Sequence, residues 1–231
     1  MAPPGRWLWK PGSLNWWIGT GFSIGAFLFL LGAILALAPA AARGFGLESA
    51  GVNRIYFAGS IFFTAAAFAQ LHQAANAPPP GETAGAGRRA IFGWHPGDAG
   101  WLACALQFVG TLAFNLSTWD ATVPNLGLIE QDLVIWAPDF AGSVLFLVSG
   151  WLAFIETCHA HWAWRPHSLS WDITAINLLG CIAFMVSAVF GYVPRPDAAF
   201  DPATLSTGLT ALGALGFLIG GILLLPEDSG A

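Results

Sequence analysis

The chain has 231 residues, of which 56% are hydrophobic and only 9% are charged, with a formal net charge of -5. A soluble domain carries about 25% charged residues, so this composition cannot clothe a water-exposed surface. The few Lys and Arg residues form no block, which excludes an electrostatic nucleic-acid interface.

The first apolar run, residues 17–38, follows a Trp-rich segment instead of a short basic one. It also exceeds a signal-peptide core of about 7–15 residues, so it reads as a membrane span and not as a cleaved leader. Further apolar runs follow at 54–75, 99–118, 137–157, 172–193 and 206–226. Each is long enough to cross about 30 Å of hydrocarbon as a helix. The predicted fold class is an all-α membrane protein of six transmembrane helices. The helices are expected as three tandem hairpins, at 7–76, 92–158 and 162–227, forming parallel pseudo-repeats in one membrane domain. Residues 77–91, with Pro78-Pro79-Pro80-Gly81, read as a flexible linker.

The repeat is visible residue by residue. Before the first span stands Trp9-Lys10-Pro11-Gly12-Ser13-Leu14-Asn15-Trp16. Before the third stands Trp94-His95-Pro96-Gly97-Asp98-Ala99-Gly100-Trp101, and before the fifth Trp164-Arg165-Pro166-His167-Ser168-Leu169-Ser170-Trp171. At one fixed interval after the second Trp come Gly25, Gly110 and Gly180, then Phe29, Phe114 and Phe184, then Pro39, Pro124 and Pro194. The even-numbered spans carry Gly59, Gly142 and Gly213, then Phe63, Phe146 and Phe217, then Gln73, Glu156 and Glu227.

Helix chemistry gives these columns a role. Ser13, Asp98 and Ser168 are N-cap types, and the prolines stop helices from running on. Trp16, Trp101 and Trp171 are expected to face the lipid headgroups as interfacial anchors. The six glycines share a helix face with their phenylalanines and are expected at close helix contacts. Small residues also give the first span a Gly21–Gly25 pair and the last span Gly213, Gly216, Gly220 and Gly221.

Basic residues set an orientation. Arg6, Lys10, Arg88, Arg89 and Arg165 fall on the side of the termini, against Arg43, Arg54 and Arg195 on the other. That bias predicts cytoplasmic termini and a bacterial inner-membrane location. At the same rim each repeat supplies a basic residue at its start (Lys10, His95, Arg165) and an acceptor at its end (Gln73, Glu156, Glu227). These are expected to pair, with Arg165 bonding Glu156 or Glu227, because a carboxylate at the edge of hydrocarbon is costly alone.

The Gly-Ser-x-x-Phe elements, Gly59-Ser60-Ile61-Phe62-Phe63 and Gly142-Ser143-Val144-Leu145-Phe146, resemble those of the YrhK-like family of small membrane hairpins. The third repeat departs from that pattern with Gly213-Ala214. The chain is also similar to uncharacterised bacterial integral membrane proteins with a Trp-Ala-Pro-Asp element, here Trp136-Ala137-Pro138-Asp139. The resemblance implies membrane placement and no activity.

Chemistry-bearing residues are sparse. Cys104, Cys158 and Cys181 form no CxxC pair and no disulfide framework. Cys158, His159 and His161, with His167 nearby, are metal-ligand types without a ligand spacing such as HExxH. His72 ends the second span and lacks a mid-membrane His as haem partner. Gln70, Gln107, Asn115 and Asn177 are expected to bond between helices. No span shows a Lys, Arg, Asp or Glu near its middle, so no cofactor, metal or catalytic set is predicted. The expected function is a structural or interaction subunit, with the lipid bilayer and other membrane subunits as partners. A transporter of a small neutral molecule and, further off, a metal- or haem-dependent membrane enzyme are the alternatives.

Overall fold

The computed structural model describes residues 9–78, 90–166, 168–192 and 201–226. The expected linker residues 79–89 and Arg6, His167, Pro194, Arg195 and Glu227 lie outside the described residues. Within them the regular structure is helical: α1 (Leu14–Leu37), α2 (Pro39–Gly44), α3 (Ser49–Ala75), α4 (Ala99–Asp120), α5 (Leu128–Glu130), α6 (Ala137–Cys158), α7 (Leu169–Phe190) and α8 (Pro202–Leu224). A π-helical segment, Gln131–Trp136, joins α5 to α6. Six helices, counting Leu128–Cys158 as one, are long and apolar enough to cross a membrane. The protein is a multi-pass membrane protein.

Local chemistry explains the helix ends. At α4 the N-cap Asp98 accepts the Trp101 backbone N–H at 2.7 Å. Ser13 and Ser168 hold the same position with extended backbone but make no such cap bond. α1 stops at Ala38, because the following Pro39 disfavours the α conformation there and instead opens α2. The chain turns through Gly46, whose φ of 73° suits a residue without Cβ. α3 then begins at Ser49, so Arg54 lies within a helix, exposed, and not in a connection.

The fourth span departs most from expectation. Pro138 has no N–H, and its ring crowds the carbonyl four residues back. The ladder widens just upstream: the Ala137 N–H bonds the Asp132 carbonyl, five residues back. The helix therefore continues backwards through Pro138 to Leu128 instead of starting at it.

Packing closes a ring. Each consecutive pair of long helices is in contact, and α8 packs against α1. The repeat columns meet at these contacts. A Cβ on Gly25 would lie 2.9 Å from the Gly59 carbonyl, one on Gly142 3.1 Å from the Gly110 carbonyl, and one on Gly180 3.1 Å from the Gly213 carbonyl. Each glycine also receives its neighbour's phenylalanine: Phe29 against Gly59, Phe146 against Gly110, Phe184 against Gly213. Removing both Cβ atoms lets the backbones touch and leaves room for the rings.

The motif tryptophans behave unlike lipid anchors. Trp16 and Trp101 are only 8% and 6% exposed, whereas Trp9 and Trp94 are 68% and 79% exposed. In all three copies the first Trp caps the second in an edge contact, with ring centroids at 5.0, 5.7 and 5.2 Å. The Trp101 and Trp171 indoles donate to the Phe92 and Ala163 carbonyls at 2.8 and 2.9 Å. The second Trp thus pins the preceding segment to its helix, and the first meets the surroundings.

Candidate functional site

Phe29, Phe63, Phe114, Phe146, Phe184 and Phe217, one from each span, converge in the core. Phe63, Phe146 and Phe217 form a closed triangle, with centroids 5.6–6.5 Å apart. Phe184 touches both Phe29 and Phe114, at 6.3 and 6.1 Å. The gap left among five of these rings and Ser60 is about 10 Å³, room for one water at most. The middle of the ring is a closed aromatic plug.

On the side of the termini, above the plug, lies a cavity of about 90 Å³, room for about three waters. Gln70, Gln107, Ser149 and Asn177 give it a polar wall. Gln107 and Asn177 follow their motif Trp at the interval occupied by Phe22 in the first repeat, and Phe22 lines the same cavity. The Ser149 hydroxyl donates to the Ala103 carbonyl at 2.7 Å. Gln70 Oε1 and Asn177 Oδ1 are buried without a hydrogen-bond partner among the described residues. Of the four amides expected to tie helices together, Asn115 does so, donating to Thr64 Oγ1 at 2.8 Å. The other three border space instead.

Below the plug, on the side of the turns, opens a vestibule of about 320 Å³ floored by Phe29. Five of the spans and Gly191, the C-cap of α7, reach it, and its wall includes Asn53, Tyr56, Thr118, Gln131, Trp136 and Asp139. Asp139 was missed by sequence reasoning, which counted no charge near a span's middle. It stands one helical turn before Gly142, next to the plug, because the span runs back to Leu128. Tyr56 and Thr210, which precede Gly59 and Gly213 by the same three residues, line the same space. No hydrogen bond or ion pair engages the Asp139 carboxylate among the described residues, and no Lys or Arg lines the vestibule. An aspartate costs about 2.5–3.5 kcal/mol to insert at the centre of a span, and Asp139, four residues from the middle of Leu128–Cys158 on the turn side, bears part of that cost. Intramembrane carboxylates of this kind mark functional paths. A wider groove of about 720 Å³ lies at the turn-side rim between α2 and the end of α4, with Arg43 and Glu48 in its wall.

The terminal-side rim is joined unevenly. Lys10 Nζ donates to the Pro226 carbonyl at 3.0 Å, tying the start of the described chain to the end of α8. Gln73 Nε2 donates to Asn15 Oδ1 at 2.8 Å. His95 packs edge-on against Trp101, centroids 6.2 Å apart. Arg165 and Glu156 are both exposed, and no ion pair joins them among the described residues. Glu156 lies against Gly100, its Cγ 3.6 Å from where a Cβ would stand. Snorkelling to water accounts for both side chains.

The metal-ligand types do not converge. Cys158 is buried with Phe154 and Leu178. His159 is the exposed C-cap of α6 with φ 51°, and His161 is exposed. Among the described residues no three His, Cys, Asp or Glu side chains gather to hold an ion. His72 stacks on Phe68 and places Nδ1 3.3 Å from the Ile91 carbonyl. No family model, curated protein or solved structure matches the chain.

Proposed function

We propose that the protein is a carrier for small polar molecules, built as three tandem hairpins of the YrhK-like kind around one axis. The observation that supports this is the pair of polar cavities on opposite sides of the phenylalanine plug, one lined from all six spans and the other from five spans and the C-cap of α7. A polar chamber on either side of a closed barrier is what alternating access requires, with parallel repeats rocking about a central site. This takes the transporter alternative over the structural or interaction subunit and widens its substrate from a neutral to any small polar molecule, since the Gln70 and Asn177 amide oxygens border a cavity and bond no other helix among the described residues. The reading calls for no cofactor. The Lys and Arg bias supports cytoplasmic termini in a bacterial inner membrane, with the smaller cavity toward the cytoplasm.

The test is uptake into vesicles reconstituted with the full chain. A panel of small polar solutes, neutral and charged, is followed by light scattering and by tracer exchange. Saturable uptake of at least one solute above protein-free vesicles is the expected result. Uptake indistinguishable from protein-free vesicles for the whole panel, with the protein folded and oriented, overturns the carrier reading.

A further inference from the structure

We propose that the turn-side vestibule binds a small protonated amine, with Asp139 as its counter-ion. The proposal rests on the carrier reading and names the class of molecule carried.

Three features of the vestibule define that ligand. The first is charge. The Asp139 carboxylate lines the cavity with no bonding partner and no basic neighbour among the described residues. A carboxylate held out of bulk water either takes up a proton or is compensated by a cation or donors, and a protonated amine supplies both charge and donors.

The second is the state of the other polar groups. Thr118 donates its hydroxyl hydrogen to the Phe114 carbonyl at 2.6 Å, and Thr210 donates to the Ser206 carbonyl at 3.2 Å. Gln131 gives its amide N–H to the Leu126 carbonyl at 2.8 Å, and Trp136 gives its indole N–H to the Ala188 carbonyl at 2.8 Å. Asn53 likewise donates to the Ala121 carbonyl. These five donors are committed to the protein's own carbonyls and leave oxygen lone pairs free, while the Tyr56 and Ser117 hydroxyls are the two lining donors that no carbonyl engages among the described residues. A site with spare acceptors and a carboxylate selects a ligand that is positive and rich in N–H.

The third is size and surface. About 320 Å³ is the scale of a site for a small organic molecule and far exceeds a bare alkali ion. Tyr56 and Trp136 add aromatic surface, on which an ammonium sits better than on aliphatic wall.

The experiment uses the full chain in mild detergent, with thermal stabilisation giving the dissociation constant. The probes are propylammonium, tetramethylammonium, 1-propanol, sodium chloride and potassium chloride at matched ionic strength and neutral pH. Propylammonium should stabilise saturably, while 1-propanol and the alkali salts should not. Asp139→Asn should weaken propylammonium at least about thirty-fold, the lower end for truncating one partner of a buried charge pair. Equal stabilisation by 1-propanol or by sodium overturns the proposal, and so does an Asp139→Asn protein that binds propylammonium as the wild type does. Should Asp139→Asn fail to fold, Thr210→Val decides. It removes one acceptor and should weaken propylammonium more than tetramethylammonium, which has no N–H; equal effects on both overturn the proposal. Amine binding without vesicle uptake upholds the site and sinks the carrier reading, whereas uptake of neutral solutes without amine binding does the reverse.

Discussion

Two glycines on α8 test residue-scale packing against helix propensity. Gly208 has open space where its Cβ would be, whereas a Cβ on Gly213 would lie 2.8 Å from the Phe184 ring. Gly208→Ala should be neutral or stabilise by up to about 1 kcal/mol, because alanine is the better helix former. Gly213→Ala gains the same propensity but forces Phe184 off its position, and overpacking costs about 1–3 kcal/mol. Melting temperatures in detergent should therefore move in different directions, and a parallel shift would remove the close-contact role. A third residue on α8 responds to pH. Asp201 caps the helix, accepting the Ala203 N–H at 3.1 Å and the Thr204 hydroxyl. These bonds favour the ionised form and hold its carboxyl below the usual range, the Thr204 hydroxyl first. A depressed folded-state pKa stabilises above the unfolded value and loses that stabilisation as pH falls through the folded one. The stability gap between wild type and Asp201→Ala should thus narrow below about pH 4, measured by melting across pH, while Asp201→Asn, which keeps an acceptor, should show a smaller gap at neutral pH that narrows by the same amount, because only the wild-type carboxyl titrates. A gap that is flat with pH would show that the cap makes no difference through its charge.

At the scale of elements, the repeated columns told more than the boundaries. Gly and Phe at a fixed interval imply a shared helix face, and the reciprocal glycine contacts use that face. The tryptophan column misled because its amphipathic ring suits either an interface or a clasp, and only the folded segment before each helix decides between them. Asp139 was illegible for a specific reason. The apolar run at 137–157 puts Asp139 at a span's end, and a proline in the first turn, here Pro138, agrees with a helix start there. The π turn reverses that inference by letting the helix pass through the proline. The same turn delivers the Trp136 indole to the Ala188 carbonyl on α7. If Pro138 is the cause of the turn, Pro138→Ala should return the segment to α geometry and swing Trp136 away. Trp136→Phe should then cost about 1 kcal/mol in the wild type, the worth of one hydrogen bond, and close to nothing in the Pro138→Ala background. Equal costs in both backgrounds, read from a thermal double-mutant cycle, would mean that the turn persists without the proline.

At the scale of the molecule, the phenylalanine plug carries two loads that a substitution separates. Phe146 is 1% exposed and touches Phe63, Phe114 and Phe217, so it links both rows of rings. Phe146→Ala removes those contacts and leaves a void, at about 3–5 kcal/mol. It also thins the barrier between the two polar cavities, because the ring that fills the space among Phe63, Phe114 and Phe217 is gone. Loss of stability alone would not distinguish a plug from an ordinary core residue. Leak does. Vesicles with Phe146→Ala should pass small polar solutes faster than wild type, with a weaker dependence on solute concentration, since passage no longer waits on a conformational step. Phe62→Ala supplies the control: at 40% exposure it faces outward, and its loss should leave the barrier closed. A folded Phe146→Ala protein whose vesicles are as tight as wild type would show that the two cavities do not belong to one path.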